Sequence, residues 1–160
     1  MIKGSIQRED IALINLYASN IGGSQYVRQM LTGMKWEINS NTIIVGDFKI
    51  PLTPMDKSTK QKISKETQTL NDAMDQLDLI DIYRTFQPKT MNFTFLSSAQ
   101  GTLSRLVHTL DHKSCIGEFK KIEMISSIFS DHSVVRLDVN YRKKNFKKHK
   151  HMQAKQYTSE

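Results

Sequence analysis

Residues Ile11-Ala12-Leu13-Ile14-Asn15-Leu16-Tyr17 form a mostly apolar run of strand length, with only residues 1–10 ahead of it. A strand apolar on both faces belongs inside a sheet that is covered on both sides and has neighbours along both edges. The run therefore predicts an interior position in a layered domain, one that the chain enters almost at once. The next segments keep that pattern. Gly22-Gly23-Ser24 breaks the chain, with Ser24 a candidate helix N-cap, and Val27, Met30, Leu31, Met34 and Ile38 recur at helical spacing. Thr42-Ile43-Ile44-Val45 is a short β-branched strand stopped by Gly46-Asp47.

Pro51 and Pro54 mark a loop, and the charged segment from Asp56 to Lys65 is expected at the surface. Ser64 is a candidate cap for a second helix, with Leu70, Ala73, Met74 and Leu77 on one side. Phe93-Thr94-Phe95-Leu96, the Leu106–Leu110 region and Ile122-Glu123-Met124-Ile125 read as short strands. Val135, Leu137, Val139 and Tyr141 alternate with Arg136, Asp138 and Asn140, as in a half-exposed outer strand. The reading is one domain over residues 1–141 and a basic, disordered tail over residues 142–160, with no internal repeat.

Charge narrows the classes of function. The net charge is +7, but residues 142–160 hold seven Lys/Arg against one acid, leaving sixteen basic and fifteen acidic residues elsewhere. The excess is a tail rather than a basic body. The run Arg142-Lys143-Lys144-Asn145-Phe146-Lys147-Lys148-His149-Lys150 can contact nucleic acid without reading its sequence; a solvated end is the other reading. The same run also matches a nuclear-localisation pattern. No apolar run reaches the roughly 18 residues of a membrane span, and Met1 to Gln7 lack a signal-peptide core. Cys115 is the only cysteine, so no internal disulfide or multi-cysteine zinc site can form, and an intracellular compartment, cytoplasmic or nuclear, fits. Oligomeric state is not legible.

Two carboxylates stand where strands meet loops: Asp47 in Ile44-Val45-Gly46-Asp47-Phe48, and Asp131 in Phe129-Ser130-Asp131-His132-Ser133. Phosphodiester hydrolysis needs a metal, a carboxylate to orient or deprotonate water, and a group that stabilises charge. An Asp-His pair at a strand mouth offers a metal ligand and an imidazole together. Each motif alone is also ordinary turn or surface chemistry.

The order Asn15-Leu16-Tyr17-Ala18-Ser19-Asn20, Gly46-Asp47-Phe48, Phe93-Thr94-Phe95 and Ser130-Asp131-His132-Ser133 resembles the endonuclease/exonuclease/phosphatase superfamily. More narrowly it is similar to the endonuclease domain of mammalian long interspersed element retrotransposons. Asp78-Leu79-Ile80-Asp81-Ile82-Tyr83-Arg84-Thr85, Ile128-Phe129-Ser130-Asp131-His132 and Asn140-Tyr141-Arg142-Lys143-Lys144 carry that closer likeness, which runs from about Ile6 to Lys144. It implies an α+β fold, a partial four-layer α/β-sandwich lacking most of the family's first half, and descent from Mg²⁺-dependent DNA-nicking enzymes. By the same resemblance Asp47, His132, Tyr17 and Asn20 stand at catalytic positions. Thr94 and Ser130 stand at substrate-binding positions and Asp131 at a metal position, with DNA the implied partner. Tyr17 also reads as a core aromatic with a wet hydroxyl, and Thr94 as a strand former.

Three departures from the family pattern predict a dead or nearly dead enzyme. Lys49 replaces an Asn after the Asp-Phe pair, so an ammonium stands where an amide both donates and accepts. Val107 replaces an Asp that holds the catalytic imidazole, and Asp111, four residues on, is not expected to restore that geometry. The family's first half, with its metal-binding Glu, has no counterpart. Each lost acid–base or orienting group is worth roughly a hundred- to ten-thousand-fold in rate, and Mg²⁺ is expected to bind poorly. Two other readings stay open: a non-catalytic nucleic-acid binder using the basic tail, and a retrotransposon relic without a selected role.

Overall fold

The computed structural model describes residues 1–6, 8–97, 99, 101–128 and 133–140. The expected tail from residue 142 lies outside them. Nine strands, three α-helices and two short 3₁₀ helices make up the described regular structure. Strands β1 (Ile2–Ile6), β2 (Glu9–Tyr17), β3 (Thr42–Asp47), β7 (Val107–His112) and β4 (Leu79–Asp81) form one sheet in the order β1-β2-β3-β7-β4. β2 and β3 run parallel, joined through helix α1 (Gly23–Gly33), and the other pairings are antiparallel. The interior position expected for β2 is met on both edges. One neighbour, β1, gives little sequence signal, since all five of its residues are exposed.

The sheet is covered on each face, as its apolar strands require. On one side α1 and α2 (Lys65–Gln76) pack Val27, Leu31, Leu70 and Met74 against Ile14, Leu16, Ile44 and Leu110. On the other, strands β8 (Phe119–Ile125) and β9 (Val134–Val139) form an antiparallel pair; Phe119, Ile122, Leu137 and Val139 meet Ile43, Val45 and Leu13. A short helix α3 (Ile82–Phe86) adds Ile82 and Tyr83 to this second core. Three layers of the expected four-layer sandwich are thus present among the described residues. The alternation read for the last strand holds from Val134 to Leu137, while Asp138 and Val139 are both half-buried.

Helix ends are partly as expected. The Ser64 hydroxyl accepts from the Thr67 amide at 3.1 Å and caps α2. Ser24 does not cap α1. The cap is Gly22, at φ +73°, and Ser24 lies inside the helix with its hydroxyl 3.2 Å from that of Thr67, linking α1 to α2. The helix starts two residues earlier than a Ser24 cap would set it, and Gly23 there passes close to the Phe48 carbonyl, where an added Cβ would stand only 2.9 Å away.

The expectation that Asp56–Lys65 lies at the surface fails at its first residue. Asp56 ends a 3₁₀ turn (Pro54–Asp56) and is fully buried. A carboxylate in that position needs partners. The Arg105 Nε donates to it at 2.9 Å, Arg84 forms a second ion pair, and the amides of Leu52 and Thr53 donate at 3.1 and 2.9 Å. Arg105 also reaches Asp81 at 2.5 Å, and Asp81 accepts from His108 Nδ1 at 3.0 Å. The other ring nitrogen of His108 stands 2.8 Å from the Ile50 carbonyl oxygen. One buried network therefore ties the 3₁₀ turn, β4, α3 and β7 together.

Candidate functional site

The site is built at the carboxyl ends of the parallel pair β2 and β3, the end where open α/β sheets place their ligands. Tyr17 and Asp47 are register partners there, and the Ala18 amide donates to the Asp47 carbonyl at 3.0 Å. Gly46 makes the approach possible: a Cβ at that position would lie 1.8 Å from the Leu16 carbonyl oxygen. On its other side Asp47 faces Val107 across β7, and Phe48 donates to the Leu106 carbonyl. Tyr17 is 68% exposed, which rules out the core reading of its ring. Asn20 is exposed on the loop that leaves β2.

Lys49 decides the electrostatics. Its backbone takes φ +58°, a left-handed conformation that Asn adopts more readily than Lys. Its amide donates to Asp47 Oδ1 at 3.1 Å, and its ammonium pairs with Asp47 Oδ2 at 2.5 Å. The same ammonium sits 5.1 Å from the centre of the Tyr17 ring, within cation–π range. The hydrogen bond and charge of Asp47 hold the Lys49 ammonium above its ordinary value, against burial that would lower it. Both carboxylate oxygens of Asp47 are thus engaged by one residue, and a cation already stands against the carboxylate. Among the described residues no group of three His, Cys, Asp or Glu side chains is set to hold a metal.

Val107 brings only an apolar side chain to the position opposite Asp47. Asp111 lies four residues along β7, roughly 13 Å away at strand spacing, and pairs with Ile80 at the far side of the sheet. It does not stand in for a carboxylate at Val107. Thr94 is buried, and its hydroxyl accepts from the amides of Leu106 (2.9 Å) and Val107 (3.4 Å), fixing the start of β7 from within. Ser130, Asp131 and His132 lie outside the described residues.

Sequence reasoning missed the support behind the site. Arg105, His108, Asp81 and Asp56 stand directly behind the residues that carry Asp47 and Val107. The Arg105 amide donates to the Asp56 carbonyl at 2.7 Å, two residues from Val107, and the His108 ring lies 5.2 Å from that of Phe48. Nothing local in the sequence signals it: the Arg84 side chain pairs with Asp56, 28 positions away, and only its amide meets Asp81.

No protein-family model matches the chain. Among solved structures it is similar to the endonuclease domain of TRAS1, a telomere-specific non-LTR retrotransposon, at 13% identity and a TM-score of 0.69, covering 86% of this chain and 61% of that one. An AP endonuclease from Archaeoglobus fulgidus matches at 17% identity and 0.63, covering 86% and 64%. The 3′ phosphatase NExo from Neisseria, bound to a product DNA hairpin, matches at 16% and 0.61, covering 86% and 63%. The chain thus spans less than two thirds of the length of each. With β2 and β3 parallel, Asp47 at their carboxyl end and a second sheet packed behind, the chain has the fold of the endonuclease/exonuclease/phosphatase nucleases.

Proposed function

We propose that this chain is a retrotransposon-type relative of the Mg²⁺-dependent, DNA-nicking phosphodiesterases that does not cut. The observation that carries the reading is the contact between Lys49 and Asp47 at 2.5 Å. A carboxylate that orients or deprotonates water, or shares a metal, must present a free lone pair to it. Here an ammonium sits on one oxygen and the amide of the same residue on the other, which leaves one acceptor site on each and sets a fixed positive charge against the carboxylate. Val107 supplies no acceptor to orient an imidazole at the opposite strand position. Magnesium, the cofactor expected from the resemblance, would have to displace Lys49 to reach Asp47. DNA as partner rests on the likeness to DNA-processing nucleases, one of them holding a DNA hairpin.

The test is incubation of the purified chain with supercoiled plasmid and Mg²⁺, beside Asp47→Ala and Lys49→Asn. No nicking above buffer by the natural chain is expected. Nicking that disappears in Asp47→Ala defeats the proposal. Lys49→Asn alone is expected to stay silent, because Val107 remains.

A second reading, binding without cutting, is favoured by the seven Lys/Arg in residues 142–160. Truncation after Lys144 separates a binder driven by the tail, which loses affinity and salt dependence, from one driven by the folded body, which keeps both.

A further inference from the structure

The five-stranded sheet ends on β1, a strand whose five residues are all exposed and whose outer edge has no strand beside it among the described residues. Such an edge offers a row of unpaired amides and carbonyls, and proteins usually blunt it with a charged side chain, proline, a bulge or a cover; β1 carries one charge, Lys3. Over β1 there is no proline, and its register against β2 is regular from Ile2 to Ile6. Ile2 is 70% and Ile6 45% exposed. By alternation Ile2, Gly4 and Ile6 share one face, and Lys3 and Ser5 the other.

The sequence of the strand selects its partner. In antiparallel pairing of β1 with itself about Gly4, Ile2 stands opposite Ile6 of the second copy, Lys3 opposite Ser5, and Gly4 opposite Gly4. A two-fold centred on Lys3 would oppose two ammoniums, and one centred on Ser5 would set Ile6 against Gly4. Parallel in-register pairing would also oppose the lysines. The face bearing Lys3 adds charge complementarity. Ser5 pairs with Asp10 across β2, and Lys3, Ser5 and Asp10 line one open trough beside Trp36 and Glu37. In the two-fold pairing the lysine of one copy looks over the small serine of the other to its Asp10, about 10 Å away between Cα atoms at two strand spacings. A lysine and an aspartate side chain span that distance together. Both groups are exposed in the single chain; among the described residues Lys3 makes a loose 3.8 Å contact with Glu37.

We propose that β1 pairs with β1 of a second copy of this chain, closing a two-fold dimer in which the two five-stranded sheets become one and Lys3 meets Asp10 across the interface twice. The proposal is independent of whether the site cuts DNA. Its test is sedimentation velocity of the full 160-residue chain over a dilution series, with Lys3→Asp and Asp10→Lys variants whose fold is checked by circular dichroism. A monomer–dimer equilibrium is expected, and each variant alone should dimerise roughly tenfold or more weakly, because two like-charge contacts replace two opposite ones. An equimolar mixture of the two variants should recover dimerisation as a heterodimer, because acidic groups on one chain then face basic groups on the other. No effect confined within a single chain produces that recovery. A monomer at every concentration, open-ended assemblies, a dimer indifferent to these charges, or a mixture no better than its components each overturns the proposal.

Discussion

Replacing Arg105 by Met removes the one cation that bridges both buried carboxylates while keeping a side chain of similar length. In the native protein the guanidinium is almost wholly buried and bonds to Asp56 at 2.9 Å and Asp81 at 2.5 Å, with the Tyr83 ring 5.0 Å away. After the change Asp56 keeps Arg84 and two backbone amides, and Asp81 keeps His108 and the Arg84 amide. Breaking a buried pair by removing one partner costs about 3–5 kcal/mol, and the surviving partners put this case near the lower end. Loss of the contact with Tyr83 adds about 0.5–1 kcal/mol. A total near 3–4 kcal/mol is a large share of the roughly 5–15 kcal/mol by which domains are stable. At a urea slope of about 2 kcal/mol per molar it moves the unfolding midpoint down by roughly 1.5–2 M.

The pH dependence sharpens the test. Burial would raise the Asp81 carboxyl, but the hydrogen bond from His108 and the charge of Arg105 outweigh it and hold Asp81 far below its ordinary value. Asp56 is lowered in the same sense, against its own burial, by Arg105 and His108. A carboxyl depressed in the folded state adds stability above its unfolded pKa and loses it as pH falls through the folded one. The contribution is therefore full at pH 7 and drains away below about pH 4. The gap between native and Arg105→Met midpoints should be widest at neutral pH and close as the carboxylates protonate. Urea melts followed by circular dichroism from pH 7 to pH 3 measure it. A neutral-pH shift under about 0.3 M, or a gap that does not narrow in acid, refutes the reasoning, since a buried ion cluster worth its typical energy cannot give either.

Gly46→Ala should be among the most damaging single changes, because its Cβ would fall 1.8 Å from a backbone oxygen that cannot move aside; a loss above about 3 kcal/mol is expected, read as a collapse in the soluble folded fraction. Ser64→Ala removes the hydroxyl that caps α2 and should cost about 1 kcal/mol, seen as a small drop in the urea midpoint at unchanged slope.

How much of the fold was legible depended on length and periodicity. β2, α1, β3 and the alternation of β9 are long enough for their apolar period to show, and the Ser64 cap follows from its position before a helical run. β1 escaped because Ile-Lys-Gly-Ser-Ile is exposed on both faces and carries no burial pattern. β4 and β6 (Thr102–Ser104) span three residues each, too few for a period to register. The capping role given to Ser24 went to Gly22 because of a backbone approach to Phe48, which a linear reading cannot see. Asp56 read as a surface charge for the same reason: nothing local says that it will pair out of water with Arg105, 49 positions away. Asp47 was legible as a strand-end carboxylate, but its state depended on where Lys49 would turn.

The frame of the site and its chemistry are therefore separable. The backbone that presents Asp47 is held by Gly46, by the Phe48–Leu106 hydrogen bond and by the Arg105 network behind it, and all of these are intact. Lys49 and Val107, on which the proposed loss of cutting rests, touch the front of the same strands and leave that support alone. Lys49 costs the frame little: a left-handed lysine at φ +58° is strained by about 1 kcal/mol, and its ion pair with Asp47 offsets part of that. On the proposed reading, stability and activity answer to different residues. A chain can keep a nuclease fold in good order while the carboxylate that the fold presents is closed by its own neighbour, because what a fold does is set by the side chains mounted on it.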